Sequence, residues 1–84
     1  RVRVKYYKFE VFMNVEDVPR EWAKRFRCAA EPIGTPDRDG DQLFKFTGTY
    51  GNVRNFLADI RGFALGDPEF KEIAKNYITR SRTD

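Results

Sequence analysis

The first residues of the chain are rich in β-branched and aromatic side chains, which favours a strand over residues 2–13. The alternation of apolar and polar positions changes phase near Tyr7 and Lys8, so the apolar side chains move to the opposite face there. Two explanations stay open. Either the strand contains a β-bulge, or it begins near Tyr6 behind a loose basic arm formed by residues 1–5.

The pattern then becomes helical. Asn14 and Asp17 can cap free amides and Pro19 suits a first helical turn, so a helix is predicted to begin here. It is predicted to run to about Ala30, because Pro32 prevents much extension. Its apolar stripe consists of Val18, Trp22, Phe26 and Ala29. Its basic stripe on the opposite side consists of Arg20, Lys24 and Arg27.

A hairpin is predicted in the middle of the chain. Residues 42–50 alternate as a strand, with Phe44 and Phe46 on one face. A shorter strand around residues 30–35 is expected to pair with it across a turn at residues 37–41, where Asp-Gly is a favourable turn dipeptide.

Two helices are predicted in the last third. Asn52 is expected to cap a helix that runs to about Leu65, and Gly66 is expected to end it. Asp67 and Pro68 then suit the cap and first turn of a third helix, whose apolar residues follow helical spacing. Residues 79–84 are expected to form a frayed polar tail.

This order, β-α-(β)-β-α-α, predicts the α+β class: a small antiparallel sheet of two or three strands with helices packed on one face. All 84 residues are expected to form a single domain. A ferredoxin-like β-α-β-β-α-β arrangement is the alternative. It requires residues 70–79 to be a strand, whereas their apolar period is helical.

Composition narrows the functional classes. The single cysteine excludes an intramolecular disulfide and fits a reducing compartment, and no apolar run or signal-peptide pattern predicts a membrane segment. We therefore expect a cytoplasmic protein with no membrane partner. The formal net charge of +3 is mildly basic, which permits a nucleic-acid partner or an acidic protein partner without requiring either.

Few residues offer catalytic chemistry. Histidine is absent, and there is no phosphate-binding loop or dinucleotide motif. The acidic cluster Asp37–Asp41 lacks EF-hand spacing and is interpreted as a solvated turn. Cys28 is expected on the polar side of the first helix as a partly exposed thiol. We expect no enzymatic activity, cofactor, metal or small-molecule substrate.

The most informative pattern is the side of the sheet that the helices leave open. Aromatic rings interleaved with lysines on an open sheet can stack bases and hold phosphates. The residues expected there are Tyr6, Lys8, Glu10, Phe12, Lys45 and Thr47. A second basic surface is expected from Arg20, Lys24 and Arg27, together with Arg54 and Arg61 of the second helix.

Two functions follow from these surfaces. The first is a small binding protein associated with nucleic acid through a basic and aromatic surface. The alternative is a protein-interaction module, such as an inhibitor or adaptor that docks on a larger assembly. In that alternative the exposed aromatics contact the partner, or the strand at residues 2–13 extends the partner's sheet.

Overall fold

The computed structural model describes residues 4–81. Residues 1–3 and 82–84, which include most of the predicted basic arm and the end of the predicted tail, lie outside the described residues. The elements in chain order are β1 (Tyr7–Asn14), a 3₁₀ turn (Val15–Asp17), α1 (Pro19–Arg25), β2 (Ala29–Ile33), β3 (Asp41–Gly48), α2 (Tyr50–Arg61), α3 (Pro68–Tyr77) and β4 (Thr79–Arg80).

The four strands form one sheet in the order β2-β3-β1-β4, and all neighbours are antiparallel. The α+β class is thus confirmed, but the predicted number of two or three strands was wrong. The strand order is that of the split β-α-β, ferredoxin-like topology. The helical period of residues 70–79 did not exclude this topology, because α3 occupies the helical stretch as predicted and β4 follows it. A strand of two residues is too short to show a periodic pattern.

β1 begins at Tyr7 and contains no bulge. Its register with β3 is unbroken from Tyr7 opposite Gly48 to Asn14 opposite Asp41. The phase change in the sequence therefore marks the start of the strand, as the second explanation predicted. β1 lies between β3 and β4, and β4 covers only Tyr7 and Lys8. The predicted edge strand is therefore an edge only beyond Lys8.

The first helix is shorter than predicted. It ends at Arg25, and the Cys28 amide donates to the Ala23 carbonyl while the Arg27 amide donates to the Lys24 carbonyl. These two bonds form a Schellman motif, which places Arg27 in the left-handed region with φ of 58°. The sequence concealed this end because an arginine occupies the position where glycine is usual.

The hairpin is confirmed, with β2 over Ala29–Ile33. An Asp37 side-chain oxygen accepts hydrogen bonds from the Asp39 and Asp41 amides, each at 2.9 Å, so the acidic cluster is organised as a turn. Pro32 lies in β2 at the outside of the sheet. Main-chain groups alternate sides along an antiparallel strand. The N–H and C=O of Glu31 therefore point toward β3, whereas the main chain of Pro32 faces the outer edge of the sheet.

The last two helices fit the predictions apart from their boundaries. α2 is capped by Thr49, whose hydroxyl accepts from the Asn52 amide, and it ends at the left-handed Gly62. The predicted cap at Asn52 and end near Leu65 were therefore wrong by a few residues. α3 is capped by Asp67, as predicted.

The core lies between one face of the sheet and the helices. Phe56 of α2 sits at its centre, with its ring centroid 4.8 Å from that of Phe46 and 5.9 Å from that of Phe9. The rings of Trp22 from α1 and of Phe26, the residue after it, pack on the same phenylalanine. The helices thus cover the sheet face that carries the odd-numbered β1 side chains, and the even-numbered ones point to the other face.

Candidate binding surface

The open face of the sheet carries alternate residues of all four strands. Its position follows from the register, in which Lys8 lies opposite Thr47, Glu10 opposite Lys45 and Phe12 opposite Leu43. The strand residues on this face are Lys8, Glu10, Phe12, Asn14, Ala29, Glu31, Ile33, Asp41, Leu43, Lys45, Thr47 and Thr79. The predicted open-face residues Lys8, Phe12 and Lys45 are thus brought together, and Tyr6, which is exposed, precedes them in the same alternation.

One row across this face is apolar. Phe12, Leu43 and Ile33 are neighbours on three adjacent strands because Leu43 pairs with both of the others. The Phe12 side chain is 70% exposed and Ile33 is 37% exposed. We call these three residues the apolar row. Exposed contiguous apolar side chains of this kind are typical of interaction sites.

Of the apolar row, the sequence pattern indicated only Phe12. Leu43 was assigned to no face, although it falls on the polar phase of the strand that carries Phe44. Ile33 could not be placed because the position of β2 in the sheet depends on a pairing that no local pattern encodes. The row therefore becomes visible only when the register of three strands is known.

The next row, Glu10, Lys45 and Glu31, is charged, and both lysines of the face are paired. Lys45 Nζ lies 3.0 Å from a Glu31 carboxylate oxygen, and Lys8 Nζ lies 3.6 Å from a Glu10 oxygen. Together with Asp41, the strand residues of this face carry three carboxylates against two ammonium groups. The strand residues of the open face are therefore not basic as a group, in contrast to the expectation drawn from the lysines.

The basic residues of the first helix lie apart from the open face. Arg20 and Lys24 are exposed and one helical turn apart on α1, which packs on the covered side of the sheet. Arg27 is exposed but lies in the turn after the helix. Among residues 4–81, none of the three forms an ion pair with a carboxylate.

The two arginines of the second helix contact the third helix. The Arg54 guanidinium lies 5.0 Å from the ring centroid of Phe70 and donates to the Leu65 carbonyl at 3.0 Å. The Arg61 guanidinium lies 4.8 Å from the ring centroid of Tyr77. The structure therefore does not bring these residues together with the first-helix cations into one basic surface, and it gives them a role in packing α2 against α3.

Cys28 is buried, which corrects the prediction of a partly exposed thiol. Because α1 ends at Arg25, Cys28 leads into β2 with its side chain against the core, near Gly48. Burial raises the pKa of this thiol to about 11, so it is protonated and weakly nucleophilic at neutral pH.

Comparison with protein families, curated proteins and solved structures finds no match for this chain. Within residues 4–81, no group of three or more acidic or cysteine side chains is arranged to hold a metal ion. None of the helices in this described range is both long enough and apolar enough to cross a bilayer.

Proposed function

We propose that this domain is a non-enzymatic protein-interaction module whose open sheet face binds a partner protein. The observation that carries the proposal is the apolar row, which runs over three strands and ends at the strongly exposed Phe12. Large exposed side chains surrounded by polar groups are the usual anchors of protein interfaces.

The charges around the row favour a protein over a nucleic acid. A nucleic-acid surface needs cations that are available to neutralise phosphates. On this face both lysines are engaged by glutamates, and Asp41 adds a further carboxylate. A protein surface with an apolar centre and a rim of mixed charge is complementary to this arrangement.

The test uses two lysine substitutions on the same strand and face. Leu43→Lys places a charge in the centre of the apolar row, whereas Thr47→Lys adds the same charge four residues away, outside the row. Tagged variants are used to capture partners from nuclease-treated lysate, and the retained proteins are quantified by mass spectrometry. We expect Leu43→Lys to lose the partner by at least about tenfold, which corresponds to roughly 1.4 kcal/mol, while Thr47→Lys keeps it.

Two results would contradict the proposal. If nuclease removes every retained protein, the interaction runs through nucleic acid. If Leu43→Lys and Thr47→Lys retain the same proteins in the same amounts, the apolar row does not form the binding site. Circular dichroism of both variants establishes that each is folded before the comparison is made.

Nucleic-acid binding through α1 is a second candidate. It is favoured by Arg20 and Lys24, which are exposed and form no ion pair within residues 4–81. Fluorescence polarisation with a labelled oligonucleotide should then show affinity that falls with salt, and Lys24→Gln should reduce the log–log slope by about 0.7 to 0.9. Lys71→Gln on α3 is the matched control. The candidate fails if binding is absent at low salt.

A further inference from the structure

The outer edge of β1 is only partly covered by β4. β1 has eight residues, but β4 pairs with Tyr7 and Lys8 alone. The Tyr6 carbonyl accepts a hydrogen bond from the Ser81 amide at 2.9 Å, so the main-chain groups of even-numbered residues face this edge. Beyond β4, the N–H and C=O groups of Glu10, Phe12 and Asn14 therefore face outward. We call Glu10–Asn14 the open segment, and no strand of residues 4–81 pairs with its outer side.

We propose that a second copy of this chain pairs with the open segment, antiparallel and about a twofold axis at Phe12. The two four-stranded sheets then join into one continuous sheet. In this arrangement Phe12 lies opposite Phe12 of the second copy, and Glu10 lies opposite Asn14 of the second copy. An exposed strand edge of this kind is a template for pairing with another chain.

The position of the axis follows from where the open segment begins and ends. Phe12 is the middle residue of the open segment, so this register pairs all five of its residues. A twofold axis at Glu10 would place two carboxylates opposite each other and would extend the pairing into Lys8, where β4 already lies. In the Phe12 register, two phenylalanine rings lie opposite each other and each Glu10 carboxylate lies opposite an Asn14 amide. Both pairs are compatible cross-strand neighbours.

The side chains on the open face agree with the same axis. The apolar row ends at Phe12, the most exposed of the large hydrophobic side chains among residues 4–81. Pairing at Phe12 continues the row into the second copy and covers part of this ring. The row would otherwise end at an edge with its largest apolar side chain in water.

The sheet edge beside β4 offers a second contact. A notch of about 310 Å³ lies beside the end of β4, lined by Lys8, Phe9, Glu10, Asn76, Tyr77 and Thr79. In the Phe12 register, Asn14 of the second copy lies opposite Glu10, so the end of that copy's strand comes to this notch beside Tyr77, which is 41% exposed.

The expected dimer is weak. A pair of short strands with these side chains buries less than the roughly 1,000 Å² that stable interfaces exceed. We therefore expect dissociation in the range of about 10 μM to 1 mM, and sedimentation equilibrium should cover that range. The average mass of the full chain should rise from the monomer value of 9.9 kDa toward twice that value.

Phe12→Pro and Leu43→Lys separate edge pairing from association through the open face. Phe12→Pro removes an N–H that faces away from β3, so the variant keeps the internal ladder and should stay monomeric. Leu43→Lys should still dimerise, because Leu43 lies on an inner strand. If Phe12→Pro does not fold, Phe12→Lys serves in its place, since it opposes two like charges at the axis.

Amide hydrogen exchange provides the direct readout. We expect the Glu10, Phe12 and Asn14 amides to exchange more slowly as concentration rises, while the Ala30 amide on the opposite edge stays unchanged. A chain that remains monomeric at 1 mM would overturn the proposal. So would a dimer that survives Phe12→Pro and is abolished by Leu43→Lys. The proposal does not depend on a partner protein, so loss of partner capture would leave it standing.

Discussion

Cys28 is a single buried thiol whose environment controls its reactivity. Because burial raises its pKa to about 11 from an ordinary value of 9.0, the folded state holds the proton more tightly than the unfolded chain. The stability linked to the protonated thiol is thus fully present below about pH 9 and is lost as the pH rises toward 11. Urea unfolding of the wild type should show this loss between pH 8 and pH 11, and Cys28→Ala should show a smaller one. Equal losses in both proteins would contradict the assignment.

Arg27 adopts a left-handed conformation that costs a non-glycine residue roughly 1 kcal/mol. Arg27→Gly should therefore raise the free energy of unfolding by up to about 1 kcal/mol, measured by urea denaturation. Arg25→Gly, at the last residue of α1, is the matched control and should lower it by up to about 1 kcal/mol. A destabilised Arg27→Gly would show that the side chain contributes more than the backbone costs.

The same residue explains the main error of sequence analysis in this region. The helical pattern continues through Phe26 to Ala29, and the only obvious stop was Pro32. The helix is instead ended by main-chain hydrogen bonds around Arg27, and no side chain in the sequence indicates them. Because the predicted helix was too long, Cys28 was assigned to a polar surface instead of the core.

At the scale of elements, the β2–β3 connection depends on one aspartate. The Asp37 carboxylate accepts from two amides, whereas no hydrogen bond involves the Asp39 carboxylate among residues 4–81. Asp37→Ala should cost about 1 to 2 kcal/mol of unfolding free energy, because two amides lose their acceptor. Asp39→Ala should stay within about 0.5 kcal/mol of the wild type. Equal costs for both would mean that the turn acts through net charge alone, and thermal denaturation measures the difference.

Elements with strong local patterns were predicted well. The Asp67–Pro68 start of α3 was identified because a cap and a first-turn proline act within a few residues. β4 was missed because its two residues are fixed by pairing with β1, far away in sequence. Most residues of the candidate site, like β4, are placed by pairing between strands that are distant in sequence. Its lysines, Glu10 and Phe12 could be placed from alternation, but Glu31, which pairs with Lys45, depends on the register of β2.

For the whole molecule, net charge was a poor guide to the character of the open face. The chain carries +3, yet the strand residues on that face hold more carboxylates than ammonium groups. Arg20 and Lys24 lie on α1, behind the sheet, and the arginines of α2 pack on α3. The net charge counts residues on both sides of the sheet, whereas a partner that binds the open face contacts only one side.

The two margins of the sheet differ, and that asymmetry predicts how far association can proceed. Pro32 offers no N–H at the outer margin of β2. Pro32→Thr should restore that donor and yield species larger than dimers in sedimentation velocity at about 1 mM. Adding Phe12→Pro to this variant should prevent chains longer than the pairs formed through β2. A Pro32→Thr protein that stops at dimers would contradict this prediction.

In the proposed dimer, both copies pair through the open segments of β1, and the two edges left outside are the β2 edges that lack the Pro32 N–H. Association therefore ends at a closed twofold unit and does not continue as a ribbon of sheets.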